Sequence, residues 1–214
     1  MSMMGKLTFF LGLQVKKLKD GTFISQTKYT RDLMKKFGMK TNRPDIIFAV
    51  GVCVRFQSVP KESHMTATKR ILRYLKGCQE VGLWYPKEGG FKLIGYSDSD
   101  YVGCRVDRKS TSRTCQILGN RLVSWFSKKQ NSIATSTAEA EYIAVGSYCA
   151  QVLWMRQQLR DYEIEEKEIP IMCDNTKYIS TDKQLADIFT KPLCESRFEE
   201  LKHELGLIEL SRDT

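Results

Sequence analysis

The sequence predicts an α/β fold, a mixed sheet with flanking helices over residues 79–208, behind a smaller α+β segment. Three observations carry this. From residue 79 the pattern runs strand, hairpin, helix, strand, helix, and a stretch of about 125 residues is long enough to bury a core. The longest helical pattern opens at Ser136-Thr137-Ala138-Glu139, where Ser136 as N-cap and Glu139 three residues on form a capping box. At about 100° per residue, Glu141 points the same way as Val145, Tyr148, Val152, Met155 and Leu159, whereas Glu139 falls among Gly146, Ala150 and Gln157. A carboxylate facing a core is costly unless a cation or hydrogen bonds meet it. Glu141 therefore calls for a partner, and a bound metal leads the candidates.

Taken in order, residues 7–17 are β-rich, and the turn Lys19-Asp20-Gly21 leads into Thr22-Phe23-Ile24-Ser25 as a hairpin. A helix from about residue 28 turns Tyr29, Leu33, Met34 and Phe37 inward and stops at Gly38. Residues 40–44 are polar and break the pattern. The helix expected over 45–57 is almost wholly apolar, which implies burial on most sides. A third helix, over 62–76, carries Lys69, Arg70, Arg73 and Lys76; this face is either solvated or laid on phosphates.

Beyond residue 79, strands are expected at 81–85 and 91–98, separated by Glu88-Gly89-Gly90. A hairpin joins 115–118 to 122–125 through Gly119-Asn120, and Ser127-Lys128-Lys129-Gln130 links it to the long helix, which reaches about residue 160. A strand at 169–173 runs into Asp174-Asn175. Thr181, with Gln184 three residues on, caps a helix to about Thr190, and a last helix spans 195–205 ahead of Gly206. The expected divisions are 1–39, 40–78, 79–208 and a tail at 209–214.

The formal charge is +9, from 34 basic and 25 acidic residues. This fits a polyanionic partner such as nucleic acid, or simply a basic soluble protein. Seven scattered cysteines without CxxC pairing read as reduced thiols of an intracellular protein. No apolar run approaches the ~20 residues of a membrane span, and Met1-Ser-Met-Met-Gly5 lacks the features of a signal peptide.

Three acidic residues sit at the ends of core elements. Asp98 ends a strand, Glu141 lies in the first turns of the long helix, and Asp174 follows Ile171-Met172-Cys173. Chemistry in open α/β sheets collects outside strand ends. Converging carboxylates repel one another, so they persist where Mg²⁺ or Mn²⁺ neutralises them. Two such ions about 3.5–4 Å apart activate water and stabilise the leaving oxygen of a phosphodiester. Each acid taken alone reads as turn chemistry, while three in one small domain, with Glu141 facing inward, point to a metal site.

Several segments closely resemble the ribonuclease H domain of copia-type retrotransposon Pol polyproteins. They are Gly95-Tyr96-Ser97-Asp98-Ser99-Asp100, Asp107-Arg108-Lys109-Ser110-Thr111-Ser112, Val123-Ser124-Trp125-Phe126-Ser127-Lys128-Lys129-Gln130, Ser136-Thr137-Ala138-Glu139-Ala140-Glu141-Tyr142, Cys173-Asp174-Asn175 and Gln184-Leu185-Ala186-Asp187 through Leu193. Residues 9–39 resemble the end of the reverse transcriptase of the same polyprotein, and 43–77 the connection after it. The resemblance implies a ribonuclease H-like sheet whose metal-binding carboxylates are Asp98, Glu141, Asp174 and Asp187. It implies two Mg²⁺ or Mn²⁺ ions, hydrolysis of the RNA strand of an RNA–DNA hybrid, and the rest of a polyprotein as partner. Lys128, Lys129 and Gln130 are read either as contacts to the nucleic-acid backbone or as an exposed polar loop.

The chain also departs from that family. No Tyr-x-Asp-Asp or Asp-Asp occurs, so DNA synthesis is not expected. Segments are missing after Met39 and after Lys177, and the second gap removes a helix and a strand, leaving Asp187 only 13 positions beyond Asp174. The strand at 169–173 is then expected to be an open edge. Arg113 stands where the family favours glycine, at an expected turn. The alternative to an enzyme is an inactive transposon remnant that at most binds nucleic acid.

Overall fold

The computed structural model describes residues 8–36, 43–104, 106–166, 168–173, 184–189 and 193–210. The chain divides into two compact units, Met1–Glu88 with Lys202–Thr214 and Gly89–Leu201. The first unit begins with an antiparallel meander of β1 (Phe9–Phe10), β2 (Leu13–Lys17) and β3 (Gly21–Ser25). Leu18 N–H closes the β2–β3 turn on the Gly21 carbonyl at 2.9 Å, as the hairpin reading expects. Helix α1 (Thr27–Lys36), a 3-10 turn (Pro44–Ile46), α2 (Ile47–Val54) and α3 (Glu62–Gly77) follow.

Two expectations change here. Helix α2 has no fully buried residue. Its Ala49, Val50 and Cys53 pack on the cluster of Ile46, Ile71 and Leu75, with α3 as its helical neighbour among the described residues. The polar stretch before it is not merely a breaker. Arg43 is buried and grips Asp45 through both forks, Nε to Oδ1 at 3.1 Å and Nη2 to Oδ2 at 2.6 Å. Its Nη1 also donates to the Cys78 carbonyl at 2.7 Å. Strand β4 (Val81–Pro86) pairs antiparallel with β3, from Gly21↔Pro86 to Ser25↔Gly82. It thus extends the meander that the sequence reading placed in a separate segment, because β3 would otherwise leave its backbone unpaired at an open edge.

The second unit is built on a four-stranded sheet ordered β7-β6-β5-β8, made of β5 (Leu93–Asp100), β6 (Thr111–Leu118), β7 (Arg121–Lys129) and β8 (Ile171–Cys173). The β6–β7 turn uses Gly119 and Asn120, both at positive φ (55° and 63°), the conformation a two-residue hairpin with right-handed twist requires. Both strands run past their expected ends. β6 begins at Thr111 rather than 115, so Arg113 is a strand residue and not a turn. β7 continues through Ser127-Lys128-Lys129, which the sequence reading took for a link. Their polar residues carry no strand signal, but the ladder pairs them: Thr111↔Lys129, Ser112↔Lys128 and Arg113↔Ser127. Among the described residues β8 pairs parallel with β5 alone and is an edge, as expected.

Helix α4 (Thr137–Asp161) crosses this sheet, in contact with β5 and β6. Its buried side is Ala140, Ala144, Tyr148, Val152 and Leu159, the stripe the 3.6-residue period indicates, while Gly146, Ala150 and Gln157 are exposed. Gly95 is the close-approach point: a Cβ there would lie 1.8 Å from the Tyr148 hydroxyl. The Ser136 hydroxyl accepts from Glu139 N–H at 3.1 Å, so the cap forms. The Glu139 carboxylate departs from the capping-box geometry by taking the Thr135 hydroxyl (2.6 Å) and amide (2.7 Å). The expected helix before residue 190 is, among the described residues, a 3-10 turn at Leu185–Phe189; its proposed cap Thr181 lies outside them. Helix α5 (Glu195–Glu204) leads into β9 (Leu207–Glu209), which pairs with β4 and which the sequence pattern did not indicate.

Two outcomes test this packing. Gly95→Ala should cost about 2 kcal/mol by overpacking. Tyr148→Phe should instead gain about 1 kcal/mol, because the buried Tyr148 hydroxyl has no hydrogen-bond partner among the described residues. Urea unfolding of the two variants reads both. At the α4 start, Ser136→Ala should cost about 1 kcal/mol. The Thr135 bonds hold the Glu139 carboxyl below its usual value, so its contribution is present above about pH 4.3 and is lost as pH falls through the depressed folded value. Glu139→Gln should flatten the acid limb of stability against pH.

Candidate functional site

The acidic residues meet the structure at the end of β5. This strand lies between β6 and β8, paired on both sides at residues 95–97 and with β6 through residue 100, and its residues alternate between the two sheet faces. Gly95, Ser97 and Ser99 share the face that α4 covers, while Asp98 and Asp100 alternate to the other. Asp98 is 5% exposed. Its cross-strand partner is Arg113, and opposite residues of an antiparallel pair present their side chains on the same face. Arg113 is fully buried; its Nη1 lies 3.9 Å from Asp98 Oδ2 and its Nη2 3.5 Å from Asp100 Oδ2. These distances are those of an ion pair rather than of tight hydrogen bonds.

Glu141 is half-buried in the first turns of α4. Its Oε1 accepts from the Ser99 N–H at 3.1 Å and the Ser99 hydroxyl at 2.9 Å. The inward direction read from the helical period is thus correct. The compensation found here is a pair of hydrogen bonds from the residue after Asp98. Asp187 lies in the 3-10 turn, 6% exposed, within an element that touches both β5 and β6. That turn is anchored by Gln184, which is fully buried. Gln184 Nε2 donates to the Ser97 carbonyl at 3.3 Å, and its Oε1 accepts from Ala186 N–H at 3.3 Å. Glu141 and the turn that carries Asp187 are thus tied to Ser99 and Ser97, the two residues that flank Asp98 on β5. Asp174 lies outside the described residues. The strand before it ends at Cys173, in parallel register with Ser97.

Carboxylate oxygens are the donors that Mg²⁺ and Mn²⁺ take, so the chemistry of this donor set suits a hard divalent ion. Among the described residues, no three His, Cys, Asp or Glu side chains form a group that could hold a metal. The positive charge next to Asp98 is the Arg113 guanidinium, which sequence reasoning did not connect with the site. The cross-strand register Asp98↔Arg113 was the signal, and it depends on where β6 begins.

Lys128, Lys129 and Gln130 separate from one another. Lys128 is exposed at the end of β7, and Lys129 is paired with Asp107. Gln130 is 5% exposed and is a structural anchor: its Nε2 donates to the Ser112 hydroxyl and to the Ala140 carbonyl, both at 2.9 Å. A cleft of about 190 Å³ lies between them, lined also by Asn131, Ser132 and Ser147. Among the described residues no helix is long and apolar enough to cross a membrane.

No family model matches the chain, and no solved structure matches it. It is 26% identical to the "Retrovirus-related Pol polyprotein from transposon RE2" of Arabidopsis thaliana, over 95% of this chain and 19% of that protein. It is 37% identical to the "Retrovirus-related Pol polyprotein from transposon TNT 1-94" of Nicotiana tabacum, over 69% of this chain and 11% of that protein. The "Uncharacterized mitochondrial protein AtMg00810" of Arabidopsis thaliana is 30% identical over 71% of this chain and 79% of its own length. The chain thus spans about a fifth of the length of the transposon RE2 polyprotein. The alignment with RE2 extends over 281 positions although the chain has 214 residues, so the relative carries several tens of residues that this chain lacks. Its homologues, matched over most of the chain at 26–37% identity, are copia-type retrotransposon Pol polyproteins.

Proposed function

We propose that residues 89–201 are a ribonuclease H-like domain acting on the RNA strand of RNA–DNA hybrids, with Asp98, Glu141, Asp174 and Asp187 as its acidic centre. The observation that carries this reading is that Glu141 is hydrogen-bonded to Ser99 and the turn of Asp187 to Ser97, the two residues that flank Asp98 on β5. The parallel register that brings Cys173 opposite Ser97 supports it further, as does the similarity of the chain to retrotransposon Pol polyproteins.

When bound, Mg²⁺ or Mn²⁺ supplies an activated water and neutralises charge on the phosphodiester. The chain's own part is positional. Asp98 presents its carboxylate from a strand held by β6, directly opposite Arg113 and one residue past the described pair Ser97↔Cys173. The Ser99 amide and hydroxyl fix the Glu141 carboxylate through one oxygen. Gln184 ties the Asp187 turn to the strand backbone. The exposed Lys128, beside the 190 Å³ cleft, offers a cation to a phosphate of the nucleic-acid backbone, where salt-dependent contacts set affinity without reading sequence. Lys129 lies next to it, with Asp107 to exchange for a phosphate. The net charge of +9 suits the same polyanionic partner. RNA is told from DNA by its 2′-hydroxyl.

With Mg²⁺ present, the purified chain is expected to cut the RNA of a labelled hybrid and to leave the DNA strand intact. Asp98→Asn and Glu141→Gln should each lower the rate by about 100-fold or more, since even outer partners of metal ligands cost 10–100-fold. Hybrid that is bound but left uncut, with or without the ion, would identify an inactive remnant instead. Lys128→Ala should weaken hybrid binding and reduce the salt slope by about one, a change that filter binding at several salt concentrations measures.

A further inference from the structure

We infer that Arg113 is a built-in counter-cation for the acidic centre, balancing Asp98 and Asp100 in the ion-free protein and competing with any divalent cation that Asp98 binds. The inference rests on the proposed acidic centre and concerns how that centre is controlled.

Three features carry it. The first is register. Arg113 stands directly across from Asp98 on the neighbouring strand, and Asp100, two residues along, shares that face. One guanidinium thus serves two carboxylates, at 3.9 Å and 3.5 Å. The second is burial. Arg113 is 0% exposed, whereas the Asp100 side chain is 42% exposed. A guanidinium stays protonated even in the interior, so burying it is costly unless negative charge lies close by. The third is position within the ladder. β6 is paired on both sides, with Asp98 of β5 and Ser127 of β7 opposite Arg113. The cation cannot leave Asp98 by a shift of the backbone; only its side chain can move.

A divalent ion on Asp98 would face a fixed like charge in a medium where such charges interact strongly. It must push the guanidinium aside or share the carboxylate with it. Two consequences follow. The sheet folds around its own cation without needing a metal, and metal affinity is lower than the carboxylates alone would give. Arg113 is thus a positioning residue that sets the ion concentration at which the centre loads.

The test uses the full chain and Mn²⁺ as the probe, with binding read by electron paramagnetic resonance and stability by the thermal midpoint with and without Mg²⁺. Arg113→Gln removes the charge while keeping a polar side chain. It should bind Mn²⁺ about tenfold tighter than the unaltered chain. Its midpoint should rise more with Mg²⁺ than that of the unaltered chain does, and adding Asp98→Asn should abolish both effects. If Arg113→Gln is unfolded in metal-free buffer, recovery of its far-UV dichroism in millimolar Mn²⁺ supports the inference, and failure to recover overturns it. Equal Mn²⁺ affinity with and without Arg113, lost in both on Asp98→Asn, overturns the role of Arg113 and leaves the acidic centre standing. Absence of Mn²⁺ binding in every folded form overturns both.

Discussion

A carboxylate on an inner strand must be met by positive charge or by donors, because neither water nor a moving backbone is there to relieve it. In this chain the requirement falls on the last residues of β5. Asp98 is met from the side by the Arg113 guanidinium. Glu141 is met by the amide and hydroxyl of Ser99. The turn that carries Asp187 is fastened through Gln184 to the carbonyl of Ser97. Each solution uses the backbone or side chain of the same short run of strand. The ladder that holds β5 therefore also fixes where every acidic group described there stands.

The sheet has a short edge. β8 is three residues long and, among the described residues, pairs on one side only. A short edge is less of an aggregation template than a long one. The strand order nevertheless keeps β8 parallel to β5, with Cys173 level with Ser97.

Legibility followed periodicity. The α4 cap, its buried stripe and the inward direction of Glu141 were readable because a helix of 25 residues repeats its pattern many times. The β2–β3 hairpin and the Gly119-Asn120 turn were readable from turn residues. The ends of β6 and β7 were not. Thr111, Ser112, Arg113, Ser127 and Lys128 are polar, and pairing with a neighbour, which no single segment encodes, makes them strand. For the same reason Arg113 looked like a turn residue, and its place beside Asp98 stayed hidden. The burial expected of α2 failed in the opposite sense: an apolar helix was present, but among the described residues a full set of neighbours was not. Gln130 illustrates the limit of residue type alone, since a glutamine read as loop or contact is an internal tie between β6 and α4.

The central claim is that the end of β5 is an acidic centre whose ion-free form is balanced by Arg113. Anomalous diffraction from crystals of the unaltered chain soaked in concentrated Mn²⁺ tests it most directly. The account predicts a Mn²⁺ peak at coordination distance, about 2.0–2.6 Å, from an Asp98 carboxylate oxygen, with the guanidinium displaced from that oxygen. Mn²⁺ that avoids Asp98 altogether, with Arg113 still seated between Asp98 and Asp100, would contradict it.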